Sequence, residues 1–194
     1  VAGDLARLLA QVERQRDQAM AVFRDVGDRR SEGVLLSNLG AAHLAEDRLD
    51  EAKPVLEAAL AANREVGNRR FEGDTLGNLA IVHTRQGELD QAERLFDEAL
   101  VLIREIGNAR AEGAFLAHRS ELLALSGALA EAQATLDAGE RLLQAVGDRH
   151  ELGIARCFRA WVRHLEGDAA GARAALDDAD GMARELELGP ESQL

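Results

Sequence analysis

The side chains best suited to bind a metal or to act as nucleophiles are five histidines, His43, His83, His118, His150 and His164, and one cysteine, Cys157. His43 and His83 stand 40 residues apart (83 − 43), so a pair sharing a metal is conceivable. Such a site would also need cysteine, histidine or carboxylate ligands converging on the same point. The plainer reading is an imidazole wedged between helices with its nitrogens hydrogen-bonded or partly wet. Cys157 adjoins Phe158 and has only Arg156 and Arg159 as basic neighbours, which points to a buried, inert thiol rather than a reactive one. There is no P-loop, dinucleotide glycine pattern, His-Glu-x-x-His or nucleophile elbow, so no catalytic machinery and no cofactor are expected.

The remaining polar candidates suit recognition better than catalysis. Asn38 and Asn78 share a register; they either meet a ligand's backbone or tie neighbouring helices together. Arg29-Arg30 and Arg69-Arg70 could grip an acidic partner, but among so many carboxylates they read as surface ion pairs worth at most roughly 1 kcal/mol each. Arg156, Arg159 and Arg163 form a stripe that is read as a solvated face.

The glycines show what positions these residues. Val26-Gly27-Asp28-Arg29-Arg30-Ser31-Glu32-Gly33 returns at Val66, Ile106 and Val146, 40 residues apart each time, and its second glycine recurs as Gly73, Gly113 and Gly153. A period of that length defines a repeat architecture. Residues 27–66 and 67–106 are identical at 16 of 40 aligned positions, Leu36/Leu76, Asn38/Asn78, Leu39/Leu79, His43/His83 and Ala59/Ala99 among them, and these identities are helix-spaced. Each unit reads as two helices, the first from about Arg29 to Glu46 and the second from about Leu49 to Val66, with a short break between them. Glycine at the breaks fits helix ends that need a left-handed residue, and Asp28 or Asp148 can cap the next helix. Pro54 is placed within the first turn or so, where a missing N–H costs least. The organisation is a half repeat at 1–26, units at 27–66, 67–106, 107–146 and 147–188, the last atypical, and a tail at 189–194 closed off by Gly189-Pro190.

Composition agrees. The 194 residues are 46% hydrophobic and 30% charged with only 3% aromatics, a balance that favours an all-α protein with a buried core. A formal charge of −12 disfavours nucleic acid, whose affinity rests on neutralising phosphates. No apolar run approaches the roughly 20 residues that cross a bilayer, so no membrane is expected and the location is read as cytoplasmic. The chain opens at Val1 inside a helical pattern, which suggests a piece of a longer protein.

Leu36, Leu39, Gly40, His43, Ala52 and Leu56, matched by Leu76, Leu79, Ala80, His83, Ala92 and Phe96, carry a resemblance to the tetratricopeptide repeat. The small-to-Ala spacing is 12 residues in all four units, at Gly40/Ala52, Ala80/Ala92, Ser120/Ala132 and Ala160/Ala172, as expected where two helices approach closely. The 40-residue length resembles the long variety found in Pins-type adaptors, kinesin light chain and the tails of bacterial signalling proteins.

The resemblance implies a right-handed α-solenoid whose first helices line a concave groove. It implies a protein-interaction module that binds a peptide, helix or domain, or alternatively a regulatory tail controlling an attached signalling enzyme or transcription factor. The groove positions it carries across are Val34, Ser37, Asn38, Ala41 and Leu44; Asp74, Asn78, Ile81, Thr84 and Arg85; Glu121 and Leu125; and Ile154, Trp161 and His164. Most are small or apolar, so an amphipathic helix or apolar segment is the expected ligand. Trp161 is either its anchor or a cap on the core of the last repeats. Leu5, Leu8, Leu9 and Val12 lack a covering helix in this scheme, and self-association through them is expected.

Overall fold

Every break that the glycines mark is a turn of the same geometry. The computed structural model describes residues 2–186, with side chains at residue 11 and from residue 14 onward. The described residues form α1 (Ala2–Asp25), α2 (Arg29–Ala45), α3 (Leu49–Glu65), α4 (Arg69–Arg85), α5 (Leu89–Glu105), α6 (Ala109–Leu125), α7 (Leu129–Val146), α8 (Arg149–Leu165) and α9 (Ala169–Glu185), with no strand among them. The chain divides into two compact units, Val1–Thr75 and Leu76–Leu194, the boundary falling within α4.

The turns repeat the Schellman hydrogen bonds. Asp28 N–H donates to Phe23 O at 2.8 Å and Arg48 N–H to His43 O at 2.9 Å, and the pattern returns at Asn68, Glu88, Asn108, Ala128, Asp148 and Asp168. This motif turns on one left-handed residue, which glycine supplies without a Cβ clash. Gly27, Gly67, Gly87, Gly107, Gly127, Gly147 and Gly167 fill it, with φ between 63° and 84°; Asp47 at φ 56° is the exception. N-caps stand next at Asp28, Asn108, Asp148 and Asp168, whose side chains accept from the N–H three residues on. Arg48, Glu88 and Ala128 cap nothing with their side chains.

In the first unit α2 and α3 cross at Gly40, where an added Cβ would lie 2.5 Å from the Leu56 side chain. Ala52, Leu56, Ala59 and Ala62 are wholly buried there. A polar cluster sits beside them. The Ser37 hydroxyl donates to Gly33 O at 2.8 Å, lies 2.9 Å from Thr75 Oγ1, and accepts from Asn63 Nδ2 at 2.9 Å. Asn63 in turn accepts from Asn68 Nδ2 at 3.1 Å. Mutual satisfaction makes this burial tolerable, because an unpaired polar group would cost about 1–3 kcal/mol.

In the second unit the corresponding register is apolar: Ile103 stands for Asn63, Gly77 for Ser37 and Phe115 for Thr75. The Phe115 ring packs so closely on Gly77 that a Cβ there would overlap it. Phe96, Leu100, Ile103, Leu136 and Leu143 form the fully buried ground of this unit, each worth about 1.5–3 kcal/mol of apolar transfer. The small pairs Ala80/Ala92, Ser120/Ala132 and Ala160/Ala172 are all buried, as their spacing predicts.

One expectation changes. Pro54 is the sixth residue of α3, beyond the first turn, so the helix forgoes the bond that an N–H at 54 would make to the carbonyl of Asp50. α9 runs unbroken through Gly181 to Glu185. The side chains of Leu5, Leu8, Leu9 and Val12, and Gly189-Pro190, lie outside the described residues.

Candidate helix-A interface

In each helix pair the first helix presents a row of same-register positions. In the first unit Asn38 is exposed and Val34, Ala41 and Asp74 are half-buried. Ser37 and Leu44 are 4% and 6% exposed, Ser37 being consumed by the polar cluster. These two therefore offer a partner no surface.

In the second unit Ile81 and Thr84 are likewise closed, 4% and 2% exposed, with the Thr84 hydroxyl donating to Ala80 O at 2.9 Å. Asn78, Glu121, Ile154 and Trp161 are half-buried, and Arg85, Leu125 and His164 exposed. His118 on α6 and Phe158 on α8, one repeat apart in register, meet edge to face at 5.0 Å between ring centroids. Neighbouring first helices of this unit thus set equivalent positions side by side.

Burial governs the electrostatics. The Nδ1 of His118 is buried without a hydrogen-bond partner, and its pKa falls to about 4, first through desolvation and then through the charge of Arg85. The imidazole is therefore neutral near pH 7. Burial also pushes the Glu121 carboxyl up, opposed by Arg85. Leu125 is 48% and Leu165 44% exposed at the ends of α6 and α8. Trp161 leans on a buried cluster of Leu123, Ala124, Ala132 and Val162, so part of the ring belongs to the core.

Two residue readings need correction. Cys157 is exposed rather than buried, although partial desolvation still raises its thiol pKa, which leaves it unactivated. The arginines of α8 are not a solvated stripe. Arg159 Nε donates to Glu140 Oε1 at 2.7 Å and its Nη2 to Asp137 Oδ1 at 2.6 Å, while Arg156 Nη1 lies 3.2 Å from Glu140 Oε2. Glu140 itself is 6% exposed. A missed buried carboxylate on α7 explains why arginines stand where apolar packing residues were expected. Arg29 does form ion pairs, one at the surface with Glu65 at 2.8 Å and one with the buried Glu32 at 2.5 Å.

The two in-register histidines are buried, and their nearest acids differ. His83 Nδ1 bonds the Glu88 carboxylate, whereas His43 Nδ1 is 3.7 Å from Glu51 and lacks a hydrogen bond. Among the described residues no three His, Cys, Asp or Glu side chains converge as a metal would require. No described helix is long and apolar enough to cross a membrane.

Comparison with known proteins fits this geometry. Residues 31–105 match the family model for the tetratricopeptide repeat. The matched stretch runs from α2 to the end of α5. A comparison with curated protein sequences finds no match. Among solved structures, BtubC (BKLC) from P. vanneervenii aligns with a TM-score of 0.65 at 19% identity, over 95% of this chain and 84% of that one. The kinesin-light-chain-type protein of Podosopora anserina, described as having nearly identical TPR-like repeats, aligns in a variant form with a TM-score of 0.58 at 13% identity, over 91% and 96%. A second structure of that protein gives 0.55 at 13% identity, over 89% and 95%. At these identities the likeness establishes the fold class, an all-α solenoid of tandem helix pairs.

Proposed function

We propose that this tetratricopeptide-repeat chain is a protein-interaction module that takes an amphipathic helix or apolar segment along the first helices of its repeats. The observation that carries the reading is the row in the second unit where exposed Leu125 and Leu165 flank Glu121, Trp161 and His164, with Arg85 near Glu121. Exposed leucines beside a few charged side chains suit a partner that brings apolar anchors and a few polar groups. Within a longer protein the same row would serve a neighbouring domain of that protein. In the first unit Val34, Asn38, Ala41 and Asp74 are the corresponding candidates.

Selection from a displayed library of helical peptides tests it. Peptides that enrich on the chain should lose binding by about tenfold or more, some 1.4 kcal/mol, when Leu125 becomes Glu. Leu125 is exposed, so the fold tolerates the change. A library that yields no binder, or binders indifferent to Leu125→Glu and Leu165→Glu together, would refute the proposal.

A further inference from the structure

The outer side of the last helix pair holds a cleft of about 380 Å³ between α8 and α9 whose lining includes His150, Gly153, Cys157, Leu176, Met182 and Leu186. It shares only Ile154 with the first-helix row named above. Its register shows what it is shaped for. Leu176 stands 40, 80 and 120 residues after Leu136, Phe96 and Leu56, which are all 0% exposed, yet Leu176 is 49% exposed. Cys157 occupies the register of Ser37, Gly77 and Ala117, which are all buried, and is itself exposed.

In the earlier repeats the covering group is known. The seventh residue of the next repeat's first helix sits on that position: Thr75 on Ser37 at 2.9 Å between hydroxyl oxygens, Phe115 on Gly77, and Ala155 in the same buried cluster as Ala117. The charges repeat too. Arg24, Arg64 and Arg104 grip the fourth residue of the incoming helix, Glu32, Glu72 and Glu112, at 2.9, 3.0 and 2.6 Å. Arg110 adds a bond to Asp148, the N-cap of α8. At the last pair Arg184 takes the place of Arg104 and His150 that of Arg110. Their side chains are 78% and 57% exposed, Arg184 resting on Asp180 and His150 lying 3.8 Å from Glu151.

We infer that this end face of the second unit is a docking site for an amphipathic α-helix with an Asp or Asn N-cap, a Glu at its fourth position and a small or apolar residue at its seventh. The inter-repeat interface continues onto it, with the apolar floor and both basic grips in place. Each equivalent face is covered by a 17-residue first helix, the length the docked helix should match.

Cys157, the single cysteine, reports on the site directly. The probe is a synthetic peptide of residues 67–86, which carries Asn68, Glu72 and Thr75, Thr75 being the residue that covers the near-isosteric Ser37. Saturating peptide should slow the reaction of Cys157 with dithiobis(nitrobenzoate) by about fivefold or more, since the thiolate must be reached to react. A Glu72→Lys peptide should fail to protect the native chain, and should protect the Arg184→Glu chain, which the native peptide does not. Absence of protection at millimolar peptide, or equal protection by a scrambled peptide, would overturn the inference. So would a reaction that slows with protein concentration alone, the sign of a second copy on the face, or one that quickens on deletion of residues 187–194.

Discussion

Removing the carboxylate of Glu140 should destabilise the second unit far more than removing any surface acid. Glu140 lies between Arg159 at 2.7 Å and Arg156 at 3.2 Å, with the acid side chain 7% and the arginines 14% and 20% exposed. Taking one partner from a fully buried pair costs about 3–5 kcal/mol because the remaining charge is left unpaired. Two features reduce that figure here. Both guanidinium groups keep some contact with water, and Arg159 retains Asp137 at 2.6 Å. The expected loss for Glu140→Leu is therefore roughly 2–3 kcal/mol. Glu185→Leu, which breaks a pair exposed by 49% and 63%, should cost under about 1 kcal/mol. Urea unfolding followed by circular dichroism and by Trp161 fluorescence measures both, and the two signals together reveal any loss of cooperativity along the array. Adding Arg159→Leu to Glu140→Leu should cost less than the sum of the single changes by at least about 1 kcal/mol, since the second change removes the stranded charge. A Glu140→Leu chain within about 0.5 kcal/mol of the native one would mean that the cluster is solvated after all.

Three further outcomes rest on single positions. Asp47 occupies the left-handed turn position at φ 56°, so Asp47→Gly should raise stability by about 0.5–1 kcal/mol, read as a higher thermal midpoint. Gly40→Ala would force a Cβ to 2.5 Å from Leu56 and should cost about 1–3 kcal/mol, whereas Gly181, with nothing within 4 Å, should gain up to about 1 kcal/mol on the same change. For His118 the unfolded imidazole binds its proton near 6.5 and the folded one near 4, so in that window the unfolded chain holds more protons and stability falls on acidification. The contribution is complete above about pH 6.5 and gone below about 4, amounting to at most about 3.4 kcal/mol at 1.36 kcal/mol per pH unit. The difference between the native chain and His118→Phe, tracked by urea titration at several pH values, isolates it from Glu121, whose raised pKa acts in the opposite direction.

The helix pairs were legible in the sequence because their determinants are local and repeated. A glycine at the left-handed position, an Asp immediately before a first turn, and small residues 12 apart each act within a single turn or crossing, so residue type suffices to place them. Asp47 shows the limit of the glycine signal: the turn forms without it, because the Schellman bonds and the packing on either side determine the backbone. Pro54 shows another, since a helix held by Ala52, Leu56 and Ala59 in the core tolerates one missing bond in its second turn.

The interface was less legible because exposure depends on what lies across from a residue. Ser37 and Cys157 occupy the same register and nearly the same volume, yet one is sealed by Thr75 and Asn63 and the other faces an open cleft. The first unit's buried Ser37–Asn63–Asn68–Thr75 cluster could have been found from sequence only as a covariation: where Asn63 becomes Ile103, Ser37 becomes Gly77 and Thr75 becomes Phe115. The same logic recovers the α8 arginines. Arg156 and Arg159 break the apolar pattern of their helix, and an arginine in a packing register calls for a carboxylate on the helix it packs against. Glu140, standing on α7 where Leu100 lies fully buried one repeat earlier, is the one substitution that answers both. A departure from the repeat consensus is therefore best read in pairs across a helix contact, because only the pair decides whether a charge marks solvent or core.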